Sequence, residues 1–404
     1  MKEMASRLEQ KYRILTAMDV RLRRPSAYVN WIRSNYELKR GVATIRAKPT
    51  KLTVDPTNVC QLRCPLCPTG QRAQDRDKGH AEFELLKRVL DEVGDSVFFI
   101  DFFNWGEPLL NPRTEDLIRL ASAKKIVSSM STNLSLPLTD ERLERLITSG
   151  LNELIVAADG ISPETYGTYR RQGKIELVFD NMRRIIALKR RLKRTTPVIT
   201  WQFLVFSFNE HEMDRARELA VELGVDRLEF RTPFLQTDRF PVPEQDRQSI
   251  SGWRASNPLF QIKTAGPEPG AKPRSRCGWH YMSSALNWDG TITPCCTTFQ
   301  KGDDFGTVGH QGEKASYMEV VNNSTFQAVR NRFAGRRGPV QAICENCPTP
   351  MIMDYNEFLN RQVILVTLVA LINLVKRFFL IRRAGRSTLP ASVPSAEMSD
   401  HVSV

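Results

Sequence analysis

Cysteine is scarce in this chain: eight residues in 404, too few for a disulfide scaffold of that length. They are not spread evenly. They fall into two groups, Cys60/Cys64/Cys67 and Cys277/Cys295/Cys296/Cys344/Cys347, a clustering that suits metal ligation in a reducing compartment. The first ten residues, Met1–Gln10, hold no apolar core. A secretory signal is therefore not expected, and the catalytic body is expected in the cytoplasm. Short repeats and low-complexity tracts are lacking too, apart from a Ser/Pro-rich tail, Ser387–Val404, expected to be disordered. Hydrophobic residues at 41% and charged residues at 25% exclude a collagen-like or wholly disordered chain.

Charge of one sign is missing from the body. The chain carries +13 overall, but residues 1–50 hold 12 basic and 4 acidic side chains, and residues 351–404 hold 6 and 4. Only +3 is left for the 300 residues between. The basicity belongs to the N-terminal arm and points to a polyanionic partner or an anionic surface.

From residue 51 the sequence alternates. Short β-branched or aromatic runs at Leu52–Asp55, Val97–Phe103, Ile126–Thr132, Glu153–Ala158, Val198–Phe206 and Arg227–Arg231 read as strands. Between them, Phe83–Val93, Thr114–Lys124, Thr139–Thr148, Val178–Arg194 and Asn209–Leu223 have helical spacing. Thr139-Asp140-Glu141 and Asn209-Glu210 are helix-start signals, and Gly150 and Gly224 are stop signals. Such alternation implies parallel strands with crossover helices, an α/β class. Six units suit a doubly wound sheet or an incomplete barrel, whose ligands sit at the C-terminal strand ends.

Cys60-x-x-x-Cys64-x-x-Cys67 follows the first strand and so lies in a loop at that end. Three thiolates can hold one face of a [4Fe–4S] cluster and leave one iron open. The bland alternative on spacing alone is a structural zinc site with a fourth ligand such as His80. In the second group, Asp289-Gly290 between Ala285–Trp288 and Thr291–Pro294 is a hairpin signal. A hairpin flanked by cysteines with a distant Cys344-x-x-Cys347 is compatible with zinc or with iron–sulfur.

The loop cysteines, together with the residues after each later strand, resemble the radical S-adenosylmethionine (radical SAM) enzymes. Asn104-Trp105-Gly106-Glu107-Pro108 after the second strand is similar to the family's Gly-Gly-Glu-Pro motif, with Trp105 in place of the first glycine. Ser131-Thr132-Asn133 resembles its Thr-Asn-Gly segment, with Leu134 where glycine is usual. Ala158-Asp159-Gly160, Tyr169-Arg170 and Gln202 occupy later polar positions, and Leu66 stands where an aromatic residue is usual. The resemblance implies a partial (β/α)6 barrel, SAM held by Gly106, Glu107, Asn133, Asp159 and Gln202, and a [4Fe–4S] cluster on Cys60, Cys64 and Cys67. It further implies reductive cleavage of SAM to a 5′-deoxyadenosyl radical that abstracts hydrogen from a substrate carbon, with an electron donor such as flavodoxin or ferredoxin.

Behind that core, Cys277 and Cys295 set around Gly290 look like a SPASM-type extension. With five cysteines instead of seven, the resemblance implies one auxiliary [4Fe–4S] cluster on Cys277, Cys295, Cys344 and Cys347. The Gly290 spacing favours Cys295 over Cys296 as ligand. Cys296 is then either a packed neighbour or a hydrogen-atom donor to a substrate radical.

The expected division is a basic helical arm (1–50), the radical SAM core (51–232), a connector (233–273), the small hairpin-containing Fe–S domain (274–350), an apolar and basic C-terminal helix (351–386) and the tail (387–404). The apolar run in Val363–Ile381 is shorter than the roughly 20 residues of a spanning helix. With Lys376, Arg377, Arg382, Arg383 and Arg386 at its end, it predicts an interfacial helix at the cytoplasmic face of a membrane. No nucleic-acid partner is expected. Three functions compete: oxidation or epimerisation of a small-molecule or lipid-linked substrate; peptide or protein maturation, disfavoured by an arm too short for a folded recognition unit; and electron carriage without catalysis, disfavoured by Glu107 and the complete cysteine triad.

Overall fold

The computed structural model describes residues 22–233, 246–247, 250, 252–261, 277–309, 315–336, 344 and 355–386. Within them, helix α1 (Pro25–Arg40) precedes β1 (Lys51–Val54), α2 (Phe83–Val93), β2 (Phe99–Asp101), α3 (Thr114–Ala123), β3 (Val127–Thr132) and α4 (Asp140–Thr148). Then come β4 (Glu153–Ala157), α5 (Pro163–Tyr169), α6 (Ile175–Arg191), β5 (Val198–Leu204), α7 (Met213–Leu223) and β6 (Arg227–Arg231). The second cysteine region supplies α8 (Trp279–Met282), β7 (Ser283–Leu286), β8 (Thr291–Thr293), β9 (Gly306–Thr307), α9 (Tyr317–Val321) and α10 (Ser324–Phe333), and α11 (Tyr355–Arg386) closes the described chain.

All nine strands form one sheet in the order β6-β5-β4-β3-β2-β1-β7-β8-β9. The first six are parallel neighbours, and among the described residues the sheet does not close into a ring. Each of the six expected strands is present, as expected of an incomplete (β/α)6 barrel. The second cysteine region does not stand apart from it. Strand β7 pairs in parallel with β1, and β8 and β9 extend the sheet antiparallel. Gly290 turns the β7–β8 hairpin at φ +86°, a conformation that costs glycine little.

Strand alternation sorts the two faces. Leu52, Val54, Ile100, Met130, Leu154, Val156, Ile199 and Trp201 join the helices in one core. Helix α2 contributes Leu85, Leu86, Val89, Leu90 and Val93, all buried, each worth about 1.5–3 kcal/mol relative to exposure. The other face is polar. Lys51 Nζ meets Asp101 Oδ2 at 2.5 Å, and Ser129 Oγ donates to Asp101 Oδ1 at 2.7 Å. Further along, Thr200 Oγ1 donates to Glu153 Oε1 at 2.7 Å, and Arg227 pairs with Glu153 and Glu229. That face of the sheet therefore carries the cross-strand ion pairs Lys51–Asp101 and Arg227–Glu153.

Two local expectations are corrected. Thr139 caps α4 by accepting from Arg142 N at 3.3 Å, but Asn209 does not cap α7. Its Oδ1 accepts from Phe206 N, and its Nδ2 donates to Leu204 O and Asp159 O, so it clamps the end of β5 to the loop after β4. At the C-terminus the apolar segment of the helix is longer than the run Val363–Ile372 suggested. Thr367 does not interrupt it, because its hydroxyl donates to Val363 O within the same helix at 2.7 Å. The segment Glu357–Lys376, 20 residues at mean hydropathy 1.9, is long and apolar enough to cross a membrane by length and composition.

Candidate SAM and iron–sulfur site

The loops after β1, β2, β3 and β4 meet at the C-terminal end of the sheet, as the strand order requires. The close approach is made at Gly106, where a Cβ would lie 1.8 Å from Thr57 O. No side chain fits there, so the Gly106–Glu107 backbone lies directly against the start of the cysteine loop. Glu107 N donates to Val59 O at 2.8 Å. The Glu107 carboxylate is buried and accepts three hydrogen bonds, from Thr132 Oγ1 at 2.6 Å, Asn133 N at 2.7 Å and Leu109 N at 3.1 Å. Burial pushes its pKa up, while those three donors pull it back.

Asn133 carries the connection onward to the cysteines. Its Nδ2 lies 3.9 Å from Cys60 Sγ, and its Oδ1 accepts from Gln61 Nε2 at 2.8 Å. Glu107, Asn133 and Cys60 thus form one continuous contact. Cys60, Leu66 and Cys67 pack against a small cluster that contains Leu62, Cys64, Tyr169, Phe206 and Trp253. The Cys60 thiol is pushed up to about 12 by burial and then by the Glu107 charge. Cys64 is pushed to about 12 by burial, against the pull of Arg170.

Asp159 is fully buried. Its Oδ2 accepts from Arg170 Nε at 2.6 Å and its Oδ1 from Leu204 N at 2.7 Å, so both oxygens are engaged. Burial works against the Arg170 charge, but Asp159 and then Cys64 outweigh it and hold Arg170 well above its ordinary range. A fixed guanidinium therefore stands beside a cysteine of the triad. Gln202 is half-buried on β5, in register with Ala157 of β4.

The donor set fits an iron–sulfur cluster. The cysteine loop is held by Gly70, whose Cβ would lie 2.5 Å from Cys64 O and 2.6 Å from Cys64 N. His80, the fourth ligand of the zinc reading, is exposed. Among the described residues no three His, Cys, Asp or Glu side chains gather round the position of a single ion. A cubane instead spreads its thiolates over separate irons.

In the second group, Cys277, Cys295 and Cys296 are half-buried and Cys344 is buried. Cys295 Sγ lies 3.1 Å from Thr297 Oγ1, and Cys344 Sγ lies 3.9 Å from His280 Nε2. Cys347 lies outside the described residues. Cys296 has its thiol pushed up to about 12, by burial and then by Cys295, with Lys51 and Asp101 of the polar interior also acting on it.

Three connections leave no mark in the sequence pattern. Arg76, buried, donates to Asp289, Thr291 and Asp304, locking the cysteine loop to the β7–β8 hairpin. Trp105 Nε1 donates to Thr298 O at 2.7 Å, and its ring stands edge-on to Phe299 at 5.8 Å. The departure from glycine at Trp105 thus joins the SAM-type motif to the loop of Cys295. Asp55 closes β1, buried, and burial raises its pKa to about 7 against hydrogen bonds from the Trp105 and Gly106 backbone. Its place just past a strand end is the one signal that could have found it.

A radical SAM superfamily model matches residues 54–220, and an iron–sulfur cluster-binding SPASM domain model matches residues 277–348. The chain belongs to the radical SAM superfamily and carries a SPASM domain. The matches support SAM, a SAM-binding [4Fe–4S] cluster and an auxiliary cluster as cofactors. Its relatives are distant. It is 24% identical over 258 residues to the tungsten-containing aldehyde ferredoxin oxidoreductase cofactor-modifying protein of Pyrococcus furiosus, covering 60% of this chain and 70% of that protein. It is 25% identical over 292 residues to the mycofactocin maturase MftC of Mycobacterium tuberculosis, covering 69% and 71%. A PqqA peptide cyclase of Ruegeria pomeroyi is 25% identical over 186 residues, covering 45% and 46%. Among solved structures, Streptococcus suis SuiB bound to the precursor peptide SuiA aligns at TM-score 0.52 and 13% identity, covering 81% of this chain and 75% of that one. That likeness is one of fold.

Proposed function

We propose that this chain is a radical SAM maturase that abstracts a hydrogen atom from a peptide or peptide-derived substrate and oxidises it. One observation carries the substrate class: the similarity to a maturase extends over 69% of this chain and 71% of that protein. The similarity to a PqqA peptide cyclase supports the same class. An unclosed sheet with a polar interior also suits an extended polar substrate.

When bound, the SAM-binding cluster supplies the electron for reductive cleavage of SAM, and the radical so released takes hydrogen from the substrate. This chain's residues do the rest. Cys60, Cys64 and Cys67 would hold that cluster, and Gly106 and Glu107 would present backbone and carboxylate to the SAM amino group. Asn133 sets the distance between Glu107 and the cysteine loop. Cys277, Cys295, Cys344 and Cys347 would hold the auxiliary cluster. Trp105 and Arg76 fix the two cysteine regions against each other. The apolar wall of Tyr169, Phe206 and Trp253 keeps water from the loop.

A second reading keeps the chemistry and changes the substrate. The relationship to a protein named for modifying a cofactor favours dehydrogenation or epimerisation of a small molecule. Anaerobic turnover with deuterated candidates of both kinds tests the choice. Deuterium in 5′-deoxyadenosine from a short peptide, with loss of a hydrogen pair from that peptide, is expected. Transfer only from small molecules would contradict the peptide reading.

A further inference from the structure

Helix α11 has two apolar sides and only one of them is packed. Leu359, Val363, Val369 and Ala370 are buried, and Leu22, Val127 and Val366 pack against the last two. Asn360 and Thr367 lie at the edge of that side. Trp31 Nε1 donates to Asn360 Oδ1 at 2.6 Å, and Tyr28 Oη lies 3.3 Å from Thr367 Oγ1. On the opposite side Ile364, Leu368, Leu371 and Val375 recur at helical spacing, and Ile364, Leu368 and Val375 are 51, 52 and 53% exposed. A helix apolar all round normally has both sides covered.

Helix α1 continues the same surface. Tyr28, Trp31 and Asn35 face α11, while Val29, Ile32 and Tyr36, each one residue further on, are exposed. A contiguous apolar patch across two helices marks an interaction site. Its rim is basic. Arg33, Lys39, Arg40 and Lys376 are exposed, and the sequence continues through Arg377, Arg382, Arg383 and Arg386. Apolar centre and cationic edge match the acyl and headgroup layers of an anionic leaflet.

The helix pair sits at one end of the sheet. Arg23 donates to Gly94 O and Lys124 O, just before β2 and β3. Asn30 exchanges two hydrogen bonds with the Lys48 backbone just before β1, and the Tyr28 ring meets Phe98 edge-on at 5.2 Å. These are all N-terminal strand ends. The cysteine loop, Glu107, Asn133 and Asp159 follow the C-terminal ends. The six residues of β3 separate the two faces by about 20 Å at ~3.3 Å per residue.

We propose that α1 and α11 dock the enzyme on an anionic phospholipid bilayer, with α11 lying in the plane of the interface and the mouth of the SAM site opening away from the membrane. The packed side of α11 favours this over spanning, since threading the bilayer would break the Trp31–Asn360 and Tyr28–Thr367 contacts. The substrate then arrives from the aqueous side instead of from the bilayer interior. This rests on the placement of the site and not on the choice of substrate.

The test uses full-length, cluster-loaded protein and vesicles of phosphatidylglycerol with phosphatidylcholine, against phosphatidylcholine alone. Binding to the anionic vesicles is expected, weakened but not abolished by salt. Ile364→Glu with Leu368→Glu should lower it by at least about tenfold, as loss of two buried apolar groups implies, with both clusters retained. Val221→Glu, at an exposed position on α7, should leave it unchanged. Hydrogen exchange with vesicles present should slow in residues 25–40 and 355–376 and stay unchanged in 60–72 and 131–135. Undiminished binding of the double variant, slowed exchange at the mouth, or a lipid-free dimer dissolved by the same substitutions would overturn the proposal.

Discussion

The buried carboxylate of Glu107 accepts from Asn133 N at 2.7 Å, and Asn133 Nδ2 reaches to 3.9 Å from Cys60 Sγ. Glu107 is therefore joined to the first cysteine through a single residue. Replacing Glu107 with Gln places an amide nitrogen among three donors and removes a charge. SAM affinity should fall by about 1–3 kcal/mol, the worth of a hydrogen bond to a charged group, while both clusters remain. Equilibrium dialysis of the reconstituted protein measures this, and unchanged affinity would assign the tripeptide another role.

Cluster content follows from the cysteines. Anaerobically reconstituted protein should carry about eight irons per chain, as two [4Fe–4S] clusters. Cys60, Cys64 and Cys67 changed together to Ala should leave about four and abolish SAM cleavage. Wild-type protein with half that iron and a bound zinc would remove the auxiliary cluster.

Two buried groups give opposite pH dependences. Asp55 titrates near 7 in the folded chain, above its ordinary 3.8. The folded state binds the extra proton between those values, so Asp55 makes stability fall as pH rises through that window. His280, brought down to about 3 by burial and the Arg330 charge, binds its proton more readily when unfolded. It makes stability rise from about pH 3 towards its ordinary 6.5. The two offset each other in wild-type protein. Asp55→Asn should stabilise the fold at pH 8 and leave a net rise of stability with pH below 6.5, read by denaturant titration at several pH values. The same midpoint for variant and wild type at pH 8 would show that burial imposes no cost on the Asp55 carboxylate.

Much of the fold and of the candidate site is legible in the chain. Six strand positions are readable because β-branched runs end at loops whose residues have recognisable chemistry. The helix boundaries of α2 and α4 follow from amphipathic spacing and from Thr139. The features that are hidden depend on distance in sequence. Arg76 meets Asp304 from 228 residues away, and no local pattern marks a buried guanidinium with carboxylates on another unit. Pairing of β7 with β1 is hidden for the same reason, since edge-to-edge contact leaves no periodicity. Asn209 resembles a cap because caps and strand clamps use the same side chain. The length of the apolar segment in α11 is masked by Thr367, a polar residue whose hydroxyl is satisfied inside the helix.

Cys296 separates two fates of the substrate radical. For oxidation, Cys296→Ala should be nearly silent in product formation, because no thiol hydrogen is needed. An epimerase would need a thiol hydrogen, and the variant would cleave SAM without making product. Solvent deuterium at the reacting carbon of the wild-type product reports the second outcome directly.

The hydrogen abstraction itself is tested most directly by the fate of SAM. Wild-type protein, reduced anaerobically with SAM and a deuterated substrate, should form 5′-deoxyadenosine that carries the substrate's deuterium. The protein with all three loop cysteines changed to Ala should form none. 5′-Deoxyadenosine at the level of that variant, in wild-type protein with both clusters in place, would contradict radical SAM catalysis by this chain.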